Sequence, residues 1–504
     1  MNRRTFIQTG QLAGAGALMN QSSAFAQGAA RKPEIKNIVL VFVDQQRHDC
    51  LGCSGNPVVR TPNIDRLART GVRFTNAYTP APVCTPARTS LQTGLLAHNH
   101  KLIFNTKNHS PAGGLEDPEP SVEFFSEHLR DDGWQCAHIG KWHIGNEINR
   151  PNAHGYDDLP YYPLYGYPRN HPHYREYLKS QGVDGFNLLR ETKDPTGTRP
   201  YDGLQEGPQS ASIPGYLSHQ TTETIRNYAD NGKPFFVSCN FWGPHAPYNI
   251  TRKHYEMYDN ADIDVWPNFD CDLSDKPGVI TRYGEYWKTG WFTRENLKPL
   301  IARYYGYISL IDEEIGRILD TLEETGQLDS TLIVYSADHG SSVGSYRFWD
   351  KGFGMYDAIT RIPMVVSHPS FTPSVSDSFV SLVDLAPTFL DAAGVSPLER
   401  SDGVSLMPLL RGDRPAVREN HIVTEHHGHQ LPFWQRMVRT PTFKYIFNPV
   451  DRDEFYDLVN DPWETKNVID SADTDKLSWA KTTLLDWMNE TKDPLLFWAR
   501  PVLS

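Results

Sequence analysis

A few short phrases in this 504-residue sequence have the residue types and spacing to do chemistry. The densest is Cys84-Thr85-Pro86-Ala87-Arg88-Thr89-Ser90-Leu91-Gln92-Thr93-Gly94. Taken alone, its cysteine reads as a buried thiol at the start of a helix. Two carboxylates stand at the ends of apolar runs: Asp44-Gln45 follows Asn37–Val43, and Asp338-His339-Gly340 follows Thr331–Ala337. A strand that ends in Asp delivers it to the carboxyl edge of a sheet, where α/β proteins bind ligands. Oxygen-rich ligands at such an edge suit a hard divalent cation able to polarise a bound anion. One strand-end Asp by itself is as often a helix cap. Cationic and proton-transferring side chains sit in three further phrases. These are Gly140-Lys141-Trp142-His143-Ile144-Gly145, Pro244-His245-Ala246-Pro247 and Trp349-Asp350-Lys351-Gly352. Each is weak singly, because a lysine is usually just exposed and a histidine usually just a core or surface residue.

The elements that must position these groups follow from the hydropathy pattern. Asn37–Val43 is a continuous apolar, β-branched run, the mark of a strand buried on both faces. Phe235–Cys239, Thr331–Tyr335 and Pro363–Val366 repeat it. Between them lie helical patterns, as in Ile308–Leu322, where Ile308, Ile311, Ile315, Ile318, Leu319 and Leu322 recur at helical spacing and Gly326 closes the segment. Thr61-Pro62 and Asp384 mark helix starts. The alternation predicts an α/β fold: a large domain, residues 33–415, with a mostly parallel sheet flanked by helices. After Pro397–Pro415 the pattern changes. Arg436–Arg439, Lys444–Phe447 and Glu454–Leu458 are short strand candidates, and a helix follows with Leu477, Leu484, Leu485 and Met488 on one side. Residues 416–504 therefore read as a smaller α+β domain with an antiparallel sheet. The aromatic, proline-rich stretch Tyr161–Pro214 has weak periodicity and reads as a long loop region, a candidate wall of a substrate pocket.

Composition bounds the function. The chain is 39% apolar and 22% charged, as globular proteins are, and it has no apolar segment of the length a membrane span needs. A net charge of −12 argues against non-specific nucleic-acid binding, and an anionic substrate must be drawn in by a local cationic pocket. Six cysteines do not make a disulfide framework in a chain this long. Cys50-x-x-Cys53 lacks a second Cys/His pair at zinc spacing, and Cys136, Cys239 and Cys271 read as buried thiols. Residues 1–26 read as an export signal of twin-arginine type. Arg3-Arg4-Thr5-Phe6-Ile7 precedes a weakly apolar stretch, Gly10–Leu18, and Ala24-Phe25-Ala26 offers a small-residue cleavage site. Its removal takes away Arg3 and Arg4 and no acid, so the charge becomes −14. The expectation is a periplasmic or secreted protein.

In combination the phrases resemble the type I sulfatases of the alkaline phosphatase superfamily. The Cys84 run resembles that family's Cys-x-Pro-x-Arg…Thr-Gly signature. Asp44-Gln45 and Asp338-His339 are similar to its early Asp-Asp or Asp-Gln pair and its late Asp-Asn or Asp-His pair. The phrases around Lys141 and His245 resemble Gly-Lys-Trp-His-x-Gly and Pro-His-x-Pro. Val383–Gly394, Glu454–Leu458 and Asp461–Glu464 extend the likeness over nearly the whole chain after the signal. The resemblance implies that a maturation enzyme oxidises Cys84 to formylglycine. In that family one hydroxyl of the hydrated aldehyde attacks sulfur and the other later expels sulfate, an exit that a serine nucleophile lacks. It implies further that Asp44, Asp338, His339 and the modified Cys84 ligate calcium, with Gln45 a weaker ligand because an amide replaces a charged Asp. Manganese is an alternative, since His339 adds a nitrogen donor.

Roles for the remaining residues follow from the same resemblance. Arg88 steadies the formylglycine oxygen, Lys141 holds the sulfate or the diol, and Lys351 grips the sulfate. His143 takes the proton from the second hydroxyl, and His245 protonates the leaving alcohol. The implied function is a sulfuric ester hydrolase acting on a sulfated oligo- or polysaccharide, with the glycan and the maturation enzyme as partners. Glu425, His426, His427, Gln435 and Arg436 are candidate substrate contacts; the plainer reading of that histidine cluster is a solvated loop. Two alternatives stand beside this. One is a phosphonate or phosphate mono- or diester hydrolase of the same superfamily, and the other a non-catalytic glycan-binding protein in which Cys84 stays a thiol.

Overall fold

The computed structural model describes residues 34–105, 114–145, 150–159, 171–352, 354–414, 417–418 and 420–504. The expected signal, residues 1–26, and residues 161–170 of the expected loop lie outside these. The strands in chain order are β1 (Asn37–Val43), β2 (Val72–Tyr78), β3 (Gln135–Gly140), β4 (Leu188–Lys193), β5 (Pro200–Gln205), β6 (Phe235–Asn240) and β7 (Tyr248–Thr251). They continue with β8 (Thr331–Ala337), β9 (Arg361–Ser367), β10 (Ser374–Ser381), β11 (Ile422–His426), β12 (Gln435–Arg439), β13 (Phe443–Phe447) and β14 (Glu454–Asp457).

Seven strands form the main sheet in the order β10-β2-β9-β8-β1-β6-β3. All its pairings are parallel except those of β9, which runs against both β2 and β8. The uninterrupted apolar run of β1 is buried along its whole length, as a strand covered by helices on both faces must be. Helices Ile213–Asn231 and Arg294–Glu324 pack on each other, and the first also lies against β6 and β3. In the second, Thr293 and Asn296 close a reciprocal cap, and the residues from Ile308 to Leu322 that repeat at helical spacing are buried.

Register decides where chemistry can happen. Val43 of β1 pairs with Ala337 of β8, so Asp44 and Asp338 leave two adjacent strands at the same level. Phe42 pairs with Asn240, and Asn240 with Gly140, which brings the segments after β6 and β3 to that same edge.

The C-terminal sheet is antiparallel, in the order β11-β12-β13-β14, and helix Thr474–Glu490 packs against β12 with Leu484 and Met488 buried. Ile422, Met437, Ile446 and Tyr456 of this sheet share a buried cluster with Tyr78, Tyr356 and Phe379. The stretch Tyr161–Pro214 differs from the expected loop. Pro172–Ser180 is a helix, β4 and β5 pair, and helix Ile213–Asn231 begins before the stretch ends. β5 is completed by β7, far along the chain, in a three-stranded sheet β4-β5-β7. The helix buries only Tyr174 and Leu178, and β4 is mostly exposed, so neither leaves a strong hydropathy period.

Candidate active site

Residue 84 is where the side chains converge. Val83 is extended, so the cysteine takes the first position of helix Cys84–Thr93, and Gly94 ends that helix in the left-handed conformation. The helix is buried throughout despite its polar sequence. Thr89 and Thr93 turn their hydroxyls back onto the carbonyls of Thr85 and Thr89, both at 2.8 Å, and Asn105 Oδ1 accepts from Thr85 N.

Asp44, Asp338 and His339, from the ends of β1 and β8, face the cysteine. Cys84 Sγ lies 3.2 Å from His339 Nε2 and 3.8 Å from Asp44 Oδ1. His339 Nδ1 donates to Gly340 O at 2.8 Å, which leaves Nε2 turned toward the sulfur and the two carboxylates. One ligand atom from each of Asp44, Cys84, Asp338 and His339 lies within 4.8 Å of all the others, and all four residues are buried. Two carboxylates, an imidazole and a sulfur in one buried cluster form a donor set for a divalent cation.

Three cations surround this cluster. Lys141 Nζ pairs with Asp44 Oδ2. Arg88 Nε donates to Asp338 Oδ2 at 2.9 Å and Nη1 to Lys141 O at 3.0 Å, while Nη2 is enclosed without a hydrogen-bond partner. Lys351 Nζ lies 3.2 Å from Gln45 Oε1 and 2.8 Å from His245 Nε2. Gly140 lets β3 deliver Lys141 here: its φ is +93°, and a Cβ would meet Asn240 O at 2.0 Å.

Protonation follows from these contacts. Burial and Asp44 oppose ionisation of Cys84, but Lys141, Lys351 and His339 outweigh them and hold the thiol well below the ordinary cysteine range. Burial also opposes charge on His339, yet Asp338 and Cys84 push its pKa up. Burial and the Lys141 ammonium bring His143 down to about 4 against the opposing pull of Cys84. His245 is lowered by burial and by Lys351. Its Nδ1 donates to Ala246 O at 2.6 Å, so Nε2 is the atom that accepts from Lys351. Burial works against Lys351, but Asp350 and Cys84 keep it charged.

Residues 36–395 match the sulfatase family and residues 344–491 match the N-sulphoglucosamine sulphohydrolase C-terminal family. The chain belongs to the sulfatase family. An uncharacterized sulfatase, YidJ of Escherichia coli, is 28% identical over 471 residues, covering 91% of this chain and 88% of the relative. An N-acetylglucosamine-6-O-sulfatase of Bacteroides thetaiotaomicron is 25% identical over 541 residues, covering 92% and 87%. In fold, the chain is similar to a phosphonate monoester hydrolase from Silicibacter pomeroyi, with a TM-score of 0.77 and 23% identity, covering 92% of this chain and 96% of that one. The family lies in the alkaline phosphatase superfamily, and its members are enzymes.

In this sulfatase the expected substrate contacts near the C-terminus are buried. Arg436 is buried and holds Asp493 through both Nε (2.5 Å) and Nη2 (3.0 Å). Gln435 donates to Asn448 Oδ1 at 2.7 Å, and His427 Nε2 lies 2.7 Å from Glu425 Oε2. His426 alone reaches the catalytic edge, with Nε2 donating to Gly352 O at 3.1 Å. None of these is a solvated loop residue. They belong to a buried network, in which His426 Nδ1 and Gln435 Oε1 find no hydrogen-bond partner among the described residues.

His98 completes that network from the other part of the chain, with Nδ1 2.8 Å from Glu425 Oε2 and Nε2 3.0 Å from Thr491 O. Burial opposes its charge, but Glu425 raises its pKa to about 9. His98, Glu425 and Asp493 also bring ligand atoms close together. Here, however, protonated His98 and Arg436 already balance the two acids, so the cluster is an ionic clasp.

Two residues central to the site went unnoticed in the sequence. Arg47 is buried, stacks 3.8 Å from the Trp266 ring, and donates Nη1 to Ser341 O, Ser342 O and Ser345 Oγ, which fixes the segment after His339. Asp350 pairs with Lys351 at 3.3 Å. Asp350 sits inside a phrase already singled out, so adjacency to Lys351 was a usable signal. Nothing local marks Arg47.

Proposed function

We propose that this sulfatase hydrolyses sulfate esters of a carbohydrate, with Cys84 converted to formylglycine by a maturation enzyme and a divalent cation, calcium in the first instance, at the adjoining cluster. The observation that carries the reading is the convergence on residue 84 of Asp44, Asp338, His339 and three buried cations. The donor set fits the ion: the four ligand atoms are mutually close, and Gln45 adjoins them through its backbone N, which donates to Asp338 Oδ1 at 3.0 Å. Asp44, Asp338, His339 and residue 84 would hold it, with Gln45 as a weaker ligand; when bound, it supplies Lewis-acid polarisation of a sulfate oxygen. The charges agree as well. Asp44, Asp338 and Asp350 balance Lys141, Arg88 and Lys351, so a divalent ion leaves the pocket positive and ready for an anionic ester.

Formylglycine supplies a nucleophilic hydroxyl together with a second one for release of the captured group. The other steps belong to the chain's own side chains. Lys141 and Lys351 bind the sulfate oxygens, and Arg88, fixed by Asp338, orients residue 84. His143, neutral near pH 7, accepts the proton whose removal triggers release. The leaving alcohol is protonated by His245 from Nε2, after that nitrogen has taken the proton from the Lys351 ammonium that donates to it at 2.8 Å. The carbohydrate assignment is supported by the relative that acts as an N-acetylglucosamine-6-O-sulfatase. Residues 1–26 would direct export, which suits an extracellular glycan.

Purified protein with Cys84 converted, assayed on sulfated oligosaccharides beside 4-nitrophenyl sulfate and a phosphonate monoester, tests this. Sulfate release from the glycans is expected; preferential cleavage of the phosphonate contradicts it.

A further inference from the structure

Arg199, immediately before β5, is a cation with no carboxylate in ion-pair range among the described residues. Its guanidinium stacks 4.3 Å from the centroid of the Trp287 ring and 5.3 Å from that of Tyr286. Nη2 donates to Tyr286 O at 3.2 Å, and Nη1 is enclosed without a hydrogen-bond partner. A guanidinium stays charged at any working pH, and an unmet buried donor is costly to leave so. Arg199 as a whole is partly exposed, and a cation held flat on two rings with no carboxylate to neutralise it is preorganised for an anion.

Its surroundings tie it to the catalytic edge. Tyr283, on the same helix as Tyr286 and Trp287 (Gly278–Trp287), donates its hydroxyl to Lys351 O. Tyr201 sets its ring edge-on to Trp349, 4.7 Å between centroids, two residues before Lys351. Tyr286 is 40% exposed and donates to Gln430 Oε1 at 2.8 Å. Gln430 follows His429, which packs against Gly352. The Arg199 platform therefore backs onto the Lys351 segment and reaches the surface.

We infer that the substrate of this sulfatase carries a second anionic group beside the sulfate that is removed, a carboxylate or another sulfate, and that Arg199 on its Tyr286–Trp287 platform receives it. The inference rests on the hydrolase reading for the reacting sulfate. Arg199 determines specificity and is not a catalytic residue. Oxyanions of both kinds offer the paired acceptors that a planar guanidinium recognises, and the ring faces beside it suit a sugar's C–H surface.

Calorimetry on the full chain in a Cys84→Ala background tests this. Three ligands are titrated: glucosamine 6-O-sulfate, glucosamine 2-N,6-O-disulfate, and a 6-O-sulfated disaccharide bearing a uronate. Arg199→Gln is expected to weaken at least one of the doubly anionic ligands about tenfold or more, and the singly sulfated sugar less than about twofold. The ligand that responds tells sulfate from carboxylate. Arg199→Lys should recover part of the loss. Trp287→Leu, which keeps the charge but removes the platform, should reproduce the selective loss and serves if Arg199→Gln does not fold. An equal loss on all three ligands, no loss on any, or no binding of any overturns the assignment. Turnover is read separately on protein with Cys84 converted. Failure to release sulfate from any ester, with the selective binding loss intact, contradicts the hydrolase reading and leaves the anion subsite standing.

Discussion

Around residue 84, function depends on which atom carries each proton. His245 donates Nδ1–H to a backbone carbonyl and accepts from Lys351 at Nε2, so the acid function proposed for it depends on that lysine. His245→Ala is expected to reduce kcat on alkyl and sugar sulfates by about 10²–10⁴-fold, and on 4-nitrophenyl sulfate by less than about tenfold, because a nitrophenolate leaves without help. Rates for a series of leaving groups measure this, and equal losses across the series contradict the acid role. Cys84→Ala should lower kcat at least about a thousandfold on every substrate, since it removes the proposed nucleophile. These residues were legible in the sequence because the chemistry fixes both residue type and position at strand and helix ends. Arg47 was not. Its contacts with Ser341 and Ser342 join segments nearly three hundred residues apart, and no local pattern encodes such a partner.

Among the elements, the buried runs of β1, β6, β8 and β9 could be read directly, because apolar continuity reports burial on both faces. β2 and β10 could not. β2 alternates buried and half-exposed residues through Arg73, Thr75 and Asn76, and the first half of β10 is largely exposed. β4 and β5 escaped notice because their sheet is completed by β7 from beyond the next helix and strand. β12, β13 and β14 were legible as elements and β11 was not, nor was the direction of the polar side chains: Gln435 and Arg436 point into a buried network.

The His98–Glu425 clasp joins the segment after the Cys84 helix to the C-terminal sheet and has a consequence for stability. The folded pKa of His98 is raised from 6.5 to about 9, so its contribution is fully present below pH 6.5 and lost as pH rises through about 9. His98→Gln should therefore cost up to about 3 kcal/mol near pH 6 and progressively less toward pH 9.5. Urea denaturation at several pH values checks this; a difference that does not change with pH would mean that the pair is not ionised.

For the whole molecule, the argument concerns charge balance. The chain carries −12 overall, yet its site balances acids and bases before any ion is added. Calcium at about 100 times its dissociation constant should stabilise the folded chain by about 2.7 kcal/mol, with a matching rise in Tm that a chelator reverses. Asp338→Asn should abolish the rise, and a rise that survives in that variant would place the ion elsewhere. The large parallel sheet and the smaller antiparallel one were both evident from hydropathy periods. Their shared core, in which Tyr78 and Phe379 meet Ile422 and Met437, was not, since periodicity reports that a face is buried but not what covers it.

The most direct measurement is mass spectrometry of the tryptic peptide containing residue 84, from protein produced in its native host. The account predicts a mass lower by the difference between a –CH₂SH and a –CHO side chain, with an aldehyde that reacts with hydrazide. An intact thiol throughout the population, in protein that still releases sulfate, would contradict it.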